Sequence, residues 1–183
     1  MFWLTVIIVE SVAVIFIGSF ARTTNTNTNS SIYSNLLLNC FTLLLAFILI
    51  YTPLKKFSII SMCVLLAIIS ISMQMYLLFG TFWNCVFTTF GNSFDITISL
   101  LSKGMYASLT CLLTSLDFIG VFKYWQVYAI ATSILCFGFC FAFAMIVYGL
   151  DVFDGGGGLL VFLYSGICSL LIWLFCIRGK IPI

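Results

Sequence analysis

The chain contains no histidine, only two prolines and few charged residues, with seven Lys or Arg and five Asp or Glu among 183 positions. The absence of histidine removes the commonest metal ligand, the usual proton shuttle near neutral pH and the haem ligand of most membrane redox subunits. Soluble domains carry roughly 25% charged residues, whereas this chain carries 7%. These shortages argue against a water-soluble globule, and they argue against an enzyme acting alone because a catalytic triad would lack its base.

Apolar residues are abundant instead, at 63% of the chain, and the mean hydropathy is +1.27. A helix that crosses a bilayer needs ~20 mostly apolar residues. Six such runs follow one another with short connections, roughly 2–20, 34–51, 57–80, 96–117, 123–149 and 157–177. We therefore predict an all-α polytopic membrane protein with six transmembrane helices, one transmembrane domain over residues 1–183 and no β-structure. The first run is expected to be a retained membrane helix, because no basic leader or cleavage site precedes or follows it.

Charge distribution between the connections predicts the orientation. The end of the bundle that holds both termini receives five basic residues, Lys55, Lys56, Lys123, Arg178 and Lys180. The opposite end receives Arg22 together with three acidic residues, Asp95, Asp151 and Asp154. Because Lys and Arg accumulate on the cytoplasmic side of short loops, both termini are expected on the cytoplasmic or matrix side. The plasma membrane and the mitochondrial inner membrane both remain open, and Asn29 begins a glycosylation acceptor on the outer side.

Two ionisable residues fall inside the predicted spans, Glu10 in the first and Lys103 in the fourth. A charge at membrane depth is unfavourable and points to a function or a partner. Glu10 fits a role in assembly, with transport as the alternative, whereas Lys103 is expected to snorkel toward the outer surface. Asp117, near the inner end of its span, is expected at the interface.

Cysteines and phosphate-binding motifs give no sign of a cofactor. The eight cysteines lie almost entirely within spans, where buried cysteine behaves as a small hydrophobe: Cys40, Cys63, Cys85, Cys111, Cys136, Cys140, Cys168 and Cys176. Cys136 and Cys140 are one helical turn apart, but a metal would need further ligands. No Gly-rich phosphate loop follows a strand. We predict no catalytic residues, no cofactor, no bound metal and no nucleic-acid partner.

The stretch DVFDGGGGLLVFLYSG, residues 151–166, precedes and begins the sixth run. Asp154 is suited to cap that helix by accepting hydrogen bonds from its free N–H groups. Four consecutive glycines follow, and they would let the helix approach a neighbour closely, as small residues do in membranes: Gly155, Gly156, Gly157 and Gly158. The alternative is a flexible glycine loop at the helix entry.

The string DGGGGLLVF at 154–162, with its Phe eight residues after the Asp, resembles the start of the fifth core helix in the ammonium transporter and Rh glycoprotein superfamily. Other segments resemble Rh helices in the same order, FIGSFAR at 16–22, KKFSIISMCVLLAIISISMQMYLLFGTFW at 55–83, SKGMYASLTCLLTSLDFIG at 102–120 and WQVYAIAT at 125–132. The resemblance implies half of that fold, the extra first helix plus the first five core helices. The full fold has two halves related by inverted symmetry.

The departures from the family pattern bear directly on function. Phe162 occupies the position of a pore histidine, and Tyr106 occupies the position of a pore-blocking Phe. A Phe cannot shuttle a proton or polarise ammonia, so the resemblance implies a degenerate half-fold without pore chemistry. Phe162 is expected to pack against other side chains or a partner, or to face lipid.

Three functions fit these observations. The first is a non-catalytic scaffold or accessory subunit of a larger membrane complex, with membrane lipids and other membrane subunits as partners. The second is an ammonium, ammonia or small-solute transporter or channel completed by another chain. The third is an organelle-encoded respiratory subunit, although residues 64–75, VLLAIISISMQM, lack the Tyr-x-Gly-Ala run of the sixth membrane subunit of NADH dehydrogenase.

The charge bias makes a testable prediction about topology. Residues 22–33 are expected on the side of the membrane opposite Arg178, because an odd number of spans separates them. An epitope inserted in each segment and probed in sealed and opened membranes measures the side. Labelling of both segments on one side would refute the orientation.

Overall fold

The computed structural model describes residues 2–20, 22–23, 37–42, 44, 59–87, 95–96, 98–119, 122–152, 154 and 158–174. These residues are almost entirely helical, which confirms the all-α prediction. The first three long helices are α1 (Phe2–Phe20), α2 (Ile59–Phe87) and α3 (Ile98–Leu116). Residues 37–42 and 44, within the second predicted span, are also helical.

Two further helices contain π-helical turns. Tyr124–Ile130, a π segment Ala131–Leu135, Cys136–Ala144 and a π segment Met145–Gly149 follow one another without a break and are together called α4. Gln126 Oε1 accepts from the Lys123 N–H at the start of α4 (3.2 Å). A π segment Gly158–Leu163 and the helix Tyr164–Ile172 together form α5. The length of an apolar run does not reveal where a helix contains a π-helical turn.

Helix α2 extends seven residues beyond the predicted end of the 57–80 span. The extension contains Thr81, whose Oγ1 lies 2.8 Å from the carbonyl oxygens of both Leu77 and Leu78. Because a threonine hydroxyl can bond within its own helix, the polar and aromatic residues after position 80 do not end the helix.

Two short strands, one after α1 and one before α3, pair with each other. Arg22–Thr23 pairs in parallel with Asp95–Ile96, and Arg22 lies opposite Asp95. The expectation of no β-structure is therefore wrong at this point. Backbone N–H and C=O groups outside the helices still need partners, and two-residue strands supply them without altering the all-α class.

The helices form a bundle around α2. Helix α2 packs against α3 and α4, α5 packs mainly against α3, and α1 lies on α2. Contacts at two levels of α2 show that it runs parallel to α4, since Ser61 meets Tyr124 and Tyr76 meets Phe139. The main core is lined by residues that are fully or almost fully buried, among them Val64, Ile68, Ile71, Tyr76, Ala107, Cys111, Val127, Ala131, Leu135, Cys136 and Phe139.

Two helices in the described part of the chain, Ile60–Trp83 and Tyr124–Ala144, are long and apolar enough to cross a membrane. Gly158–Ile172 is a shorter apolar helix. Length and composition thus point to a membrane for two of the six predicted spans, and the remaining spans stay predictions.

The contact between α4 and α5 is testable at Gly138. A Cβ at this position would overlap the Tyr164 hydroxyl, which donates to the Leu135 carbonyl at 3.3 Å. Gly138→Ala is expected to displace Tyr164 and to lower the free energy of unfolding by about 1–3 kcal/mol, measured by thermal unfolding in detergent.

The double variant Gly138→Ala with Tyr164→Phe removes the overlapping oxygen and should recover most of this loss. Gly158→Ala is the matched control, because a Cβ there has no neighbour within 4 Å. Equal unfolding temperatures for the wild type and Gly138→Ala would contradict the packing.

Candidate functional site

Most buried polar groups of the described bundle are satisfied locally, and Gln74 Oε1 on α2 is a buried acceptor without a hydrogen-bond partner. Nine polar residues of the described chain are buried, and each has a hydrogen-bond partner. Asn39 and Ser61 bond to other side chains, and the remaining seven donate to a carbonyl three or four residues earlier in their own helix. Hydroxyls that bond back to a carbonyl of their own helix satisfy their polar group without a partner from another helix, and Ser108 Oγ also lies 3.3 Å from the Ile69 carbonyl of α2.

The buried cysteines tie three helices together. Cys111 of α3 directs its thiol to the Ala131 carbonyl of α4 at 3.7 Å, and Cys136 of α4 directs its thiol to the Ser72 carbonyl of α2 at 3.4 Å. Cys140 is also buried. Within the described ranges no group of three His, Cys, Asp or Glu residues could hold a metal ion. The arrangement fits packing and weak S–H hydrogen bonding.

The two predicted intramembrane charges lie in different surroundings. Lys103 Nζ is 5.0 Å from the centroid of the Phe143 ring, a distance at which the ring face attracts a cation. Its neighbour Ser102 accepts from Asn39 Nδ2 at 2.7 Å. Glu10 is partly exposed and lies three residues before Ala13, the α1 residue that enters the core. Lys103 thus binds an aromatic ring within the bundle, and Glu10 lies at the edge of the α1 contact.

The two residues at the family's pore positions do not share an environment. Phe162 is 62% exposed on the outer face of α5. Gly158 and Gly166, one turn before and one turn after it, are exposed with nothing near their missing side chains. Tyr106 is partly buried and packs against the main core. Phe162 therefore belongs to the outer surface of α5, and Tyr106 belongs to the rim of the core.

The entry to α5 is organised by Asp154. Its Oδ2 accepts from the Leu160 N–H at 3.0 Å, so the carboxylate satisfies one of the free donors in the first turn. Asp151, just upstream, has a φ of 50°, a left-handed conformation that Asp tolerates. The predictions for Gly155, Gly156 and Gly157 concern positions outside the described residues.

An open groove of about 520 Å³ lies where α3 and α5 end side by side. The Ser169 hydroxyl of α5 donates to Asp117 Oδ2, just beyond α3. Sequence reasoning placed Asp117 at the interface but did not identify the groove. The available signal was the spacing of Ser165 and Ser169, which puts two small residues on one face of a helix.

No protein-family model, no curated protein and no solved structure matches the chain. The resemblance to the ammonium transporter and Rh superfamily thus remains a hypothesis based on the motifs quoted above. Function has to be argued from the geometry of the chain itself.

The cap at Asp154 can be tested by substitution. Asp154→Ala removes the acceptor of the Leu160 N–H and is expected to destabilise the protein by about 0.5–2 kcal/mol, the usual range for a lost helix cap. Thermal unfolding measures the change.

The matched control is Asp151→Asn, which removes an exposed carboxylate close by and keeps a residue that accepts a positive φ. Its unfolding temperature should stay near that of the wild type. Equal changes of the unfolding temperature in Asp154→Ala and Asp151→Asn would refute the assignment of Asp154 as the cap of α5.

Proposed function

We propose that the protein is a non-catalytic integral membrane subunit, with an Rh-like half-fold, that acts as a scaffold or accessory subunit of a larger membrane complex. The observation that carries the proposal is the apolar outer surface of the bundle. On α1 the exposed large residues include Leu4, Ile7, Ile8, Val12, Val14 and Ile15, and on α5 they include Leu159, Phe162, Leu163, Ile167, Leu170, Leu171 and Trp173. Contiguous exposed apolar surface of this kind marks a membrane or protein contact.

The two apolar faces lie on different parts of the bundle. Helix α1 contacts α2, whereas α5 contacts α3. Lipid chains can cover both faces, but α5 has an additional feature, since the Phe162 ring projects between the two open positions at Gly158 and Gly166. An exposed aromatic ring between two glycines that have no near neighbours leaves room for another transmembrane helix to approach closely. We therefore assign α5 as the face that meets a partner subunit.

The interior supports a structural role over transport. Conduction requires polar groups or water along a continuous path, whereas seven of the eight buried Ser and Thr residues in the described bundle bond to a carbonyl of their own helix. Phe162 lies on the outer surface instead of facing Tyr106 across an enclosed space. A transport activity would need a path supplied largely by another chain.

Orientation and location follow from the charge bias. Lys123 lies at the end of the bundle where α2 begins and α3 ends, and the basic residues of the other connections belong to the same side in a six-span topology. We propose that both termini are cytoplasmic or in the mitochondrial matrix. A respiratory assembly is one complex in which such a subunit would serve.

Purification in mild detergent from the native membrane tests the proposal. We expect the chain to elute with at least one other membrane protein, identified by mass spectrometry. Phe162→Ser should lower recovery of that partner roughly 10-fold if a contact of about 1.4 kcal/mol is lost. The fold should be retained, because the side chain is mostly exposed.

Phe162→Leu is the matched control, since it keeps an apolar side chain and should keep most of the partner. Phe162→His should behave like Phe162→Ser and should not create ammonium flux in proteoliposomes. A monomer without any partner would refute the proposed function. Ammonium flux through the unmodified chain alone would favour the transporter instead.

A further inference from the structure

The groove between α3 and α5 carries its charged residue, Asp117, at one end and apolar residues, beside Ser165, further along. Leu113 lies one turn before Asp117 on α3, and Gly166 lies two turns before Trp173 on α5. From Gly166 to Trp173 the helix rises roughly 10 Å at 1.5 Å per residue. The groove therefore runs along the bundle from an apolar region to the level at which the helices finish.

The apolar region has room for a hydrocarbon chain. Gly166 has nothing within 4 Å of the position of its missing Cβ. Leu113 and Leu170 provide apolar walls, and Leu170 is 59% exposed. A flexible acyl chain can lie against apolar walls of this kind and bury apolar surface there.

The polar end carries negative charge. Among the described residues that line the groove, Asp117 alone is charged. One of its carboxylate oxygens accepts from the Ser169 hydroxyl, and the exposed position of Asp117 leaves the carboxylate open to a ligand. Carboxylates form their strongest hydrogen bonds with cationic donors. Trp173, half exposed at the same end, offers an aromatic face that attracts cations.

We propose that this groove binds a phospholipid with a primary ammonium headgroup, phosphatidylethanolamine. Its ammonium group donates to Asp117 beside Trp173, and an acyl chain lies along Leu113, Gly166 and Leu170. Charge complementarity selects this headgroup over an anionic one, because a phosphatidylglycerol would bring only negative charge toward Asp117. The inference rests on the membrane location proposed above, but it does not require a partner subunit.

Native mass spectrometry of the full chain tests the proposal. The purified protein is mixed with equimolar phosphatidylethanolamine and phosphatidylglycerol that carry the same acyl chains. We expect the ethanolamine lipid to be retained about 10-fold over the glycerol lipid. Asp117→Asn should bring this ratio close to one, and Asp117→Glu should preserve the preference. Gly166→Leu should reduce retention of both lipids, because a larger side chain occupies the apolar part.

Asp151→Asn is the control for a change in total charge, since Asp151 is exposed and lies outside the groove. It should leave the ratio unchanged. Equal retention of the two lipids by the wild type would overturn the proposal, as would an unchanged preference in Asp117→Asn.

Different experimental outcomes would refute the accessory-subunit role and the lipid site. A monomer that prefers phosphatidylethanolamine would refute the accessory-subunit role and leave the lipid site intact. A stable complex without lipid preference would refute only the lipid site.

Discussion

The Tyr76 ring is the contact through which the three central helices meet. It is 2% exposed and makes edge contacts with Phe139 and Phe143 of α4, at centroid distances of 6.0 and 6.3 Å. Gly104 of α3 faces the same ring, so α3 can come close to α2 at this level. Edge-to-face aromatic pairs add about 0.5–1.5 kcal/mol beyond their buried area. A smaller residue at position 76 would leave a cavity shared by all three helices.

This packing also explains the position of Lys103. The residue precedes Gly104 on α3, and its ammonium group lies over Phe143, the ring that Tyr76 contacts from another side. The charge thus interacts with the aromatic cluster that holds the bundle together. A cation over this ring adds to the cohesion of the bundle, and the bond from Ser108 Oγ to the Ile69 carbonyl links α3 to α2. Cohesion is what a scaffold subunit needs.

Much of the helical architecture was predictable because apolar run length is a strong signal in a chain with so few charges. The runs at 2–20 and 96–117 closely match α1 and α3. The continuation of α2 to Phe87 was missed because the predicted apolar run ends at position 80, whereas the Thr81 hydroxyl bonds within the helix. The π segments and the Arg22–Asp95 strand register depend on tertiary contacts, which no local pattern encodes.

The candidate sites also differ in whether a local sequence pattern predicts them. Asp154 was predictable as a cap because the residue type and the following apolar run form a local pattern, whereas the groove arises from two helices more than forty residues apart. Most buried polar groups of the described bundle bond locally, which directs attention to the outer surface for contacts with other molecules. The projecting Phe162 ring on α5 and the carboxylate of Asp117 beside α5 are two outward features of the described residues. Phe162 is suited to another helix and Asp117 to a cation, so α5 is the helix through which this protein would meet both its partner and its lipid.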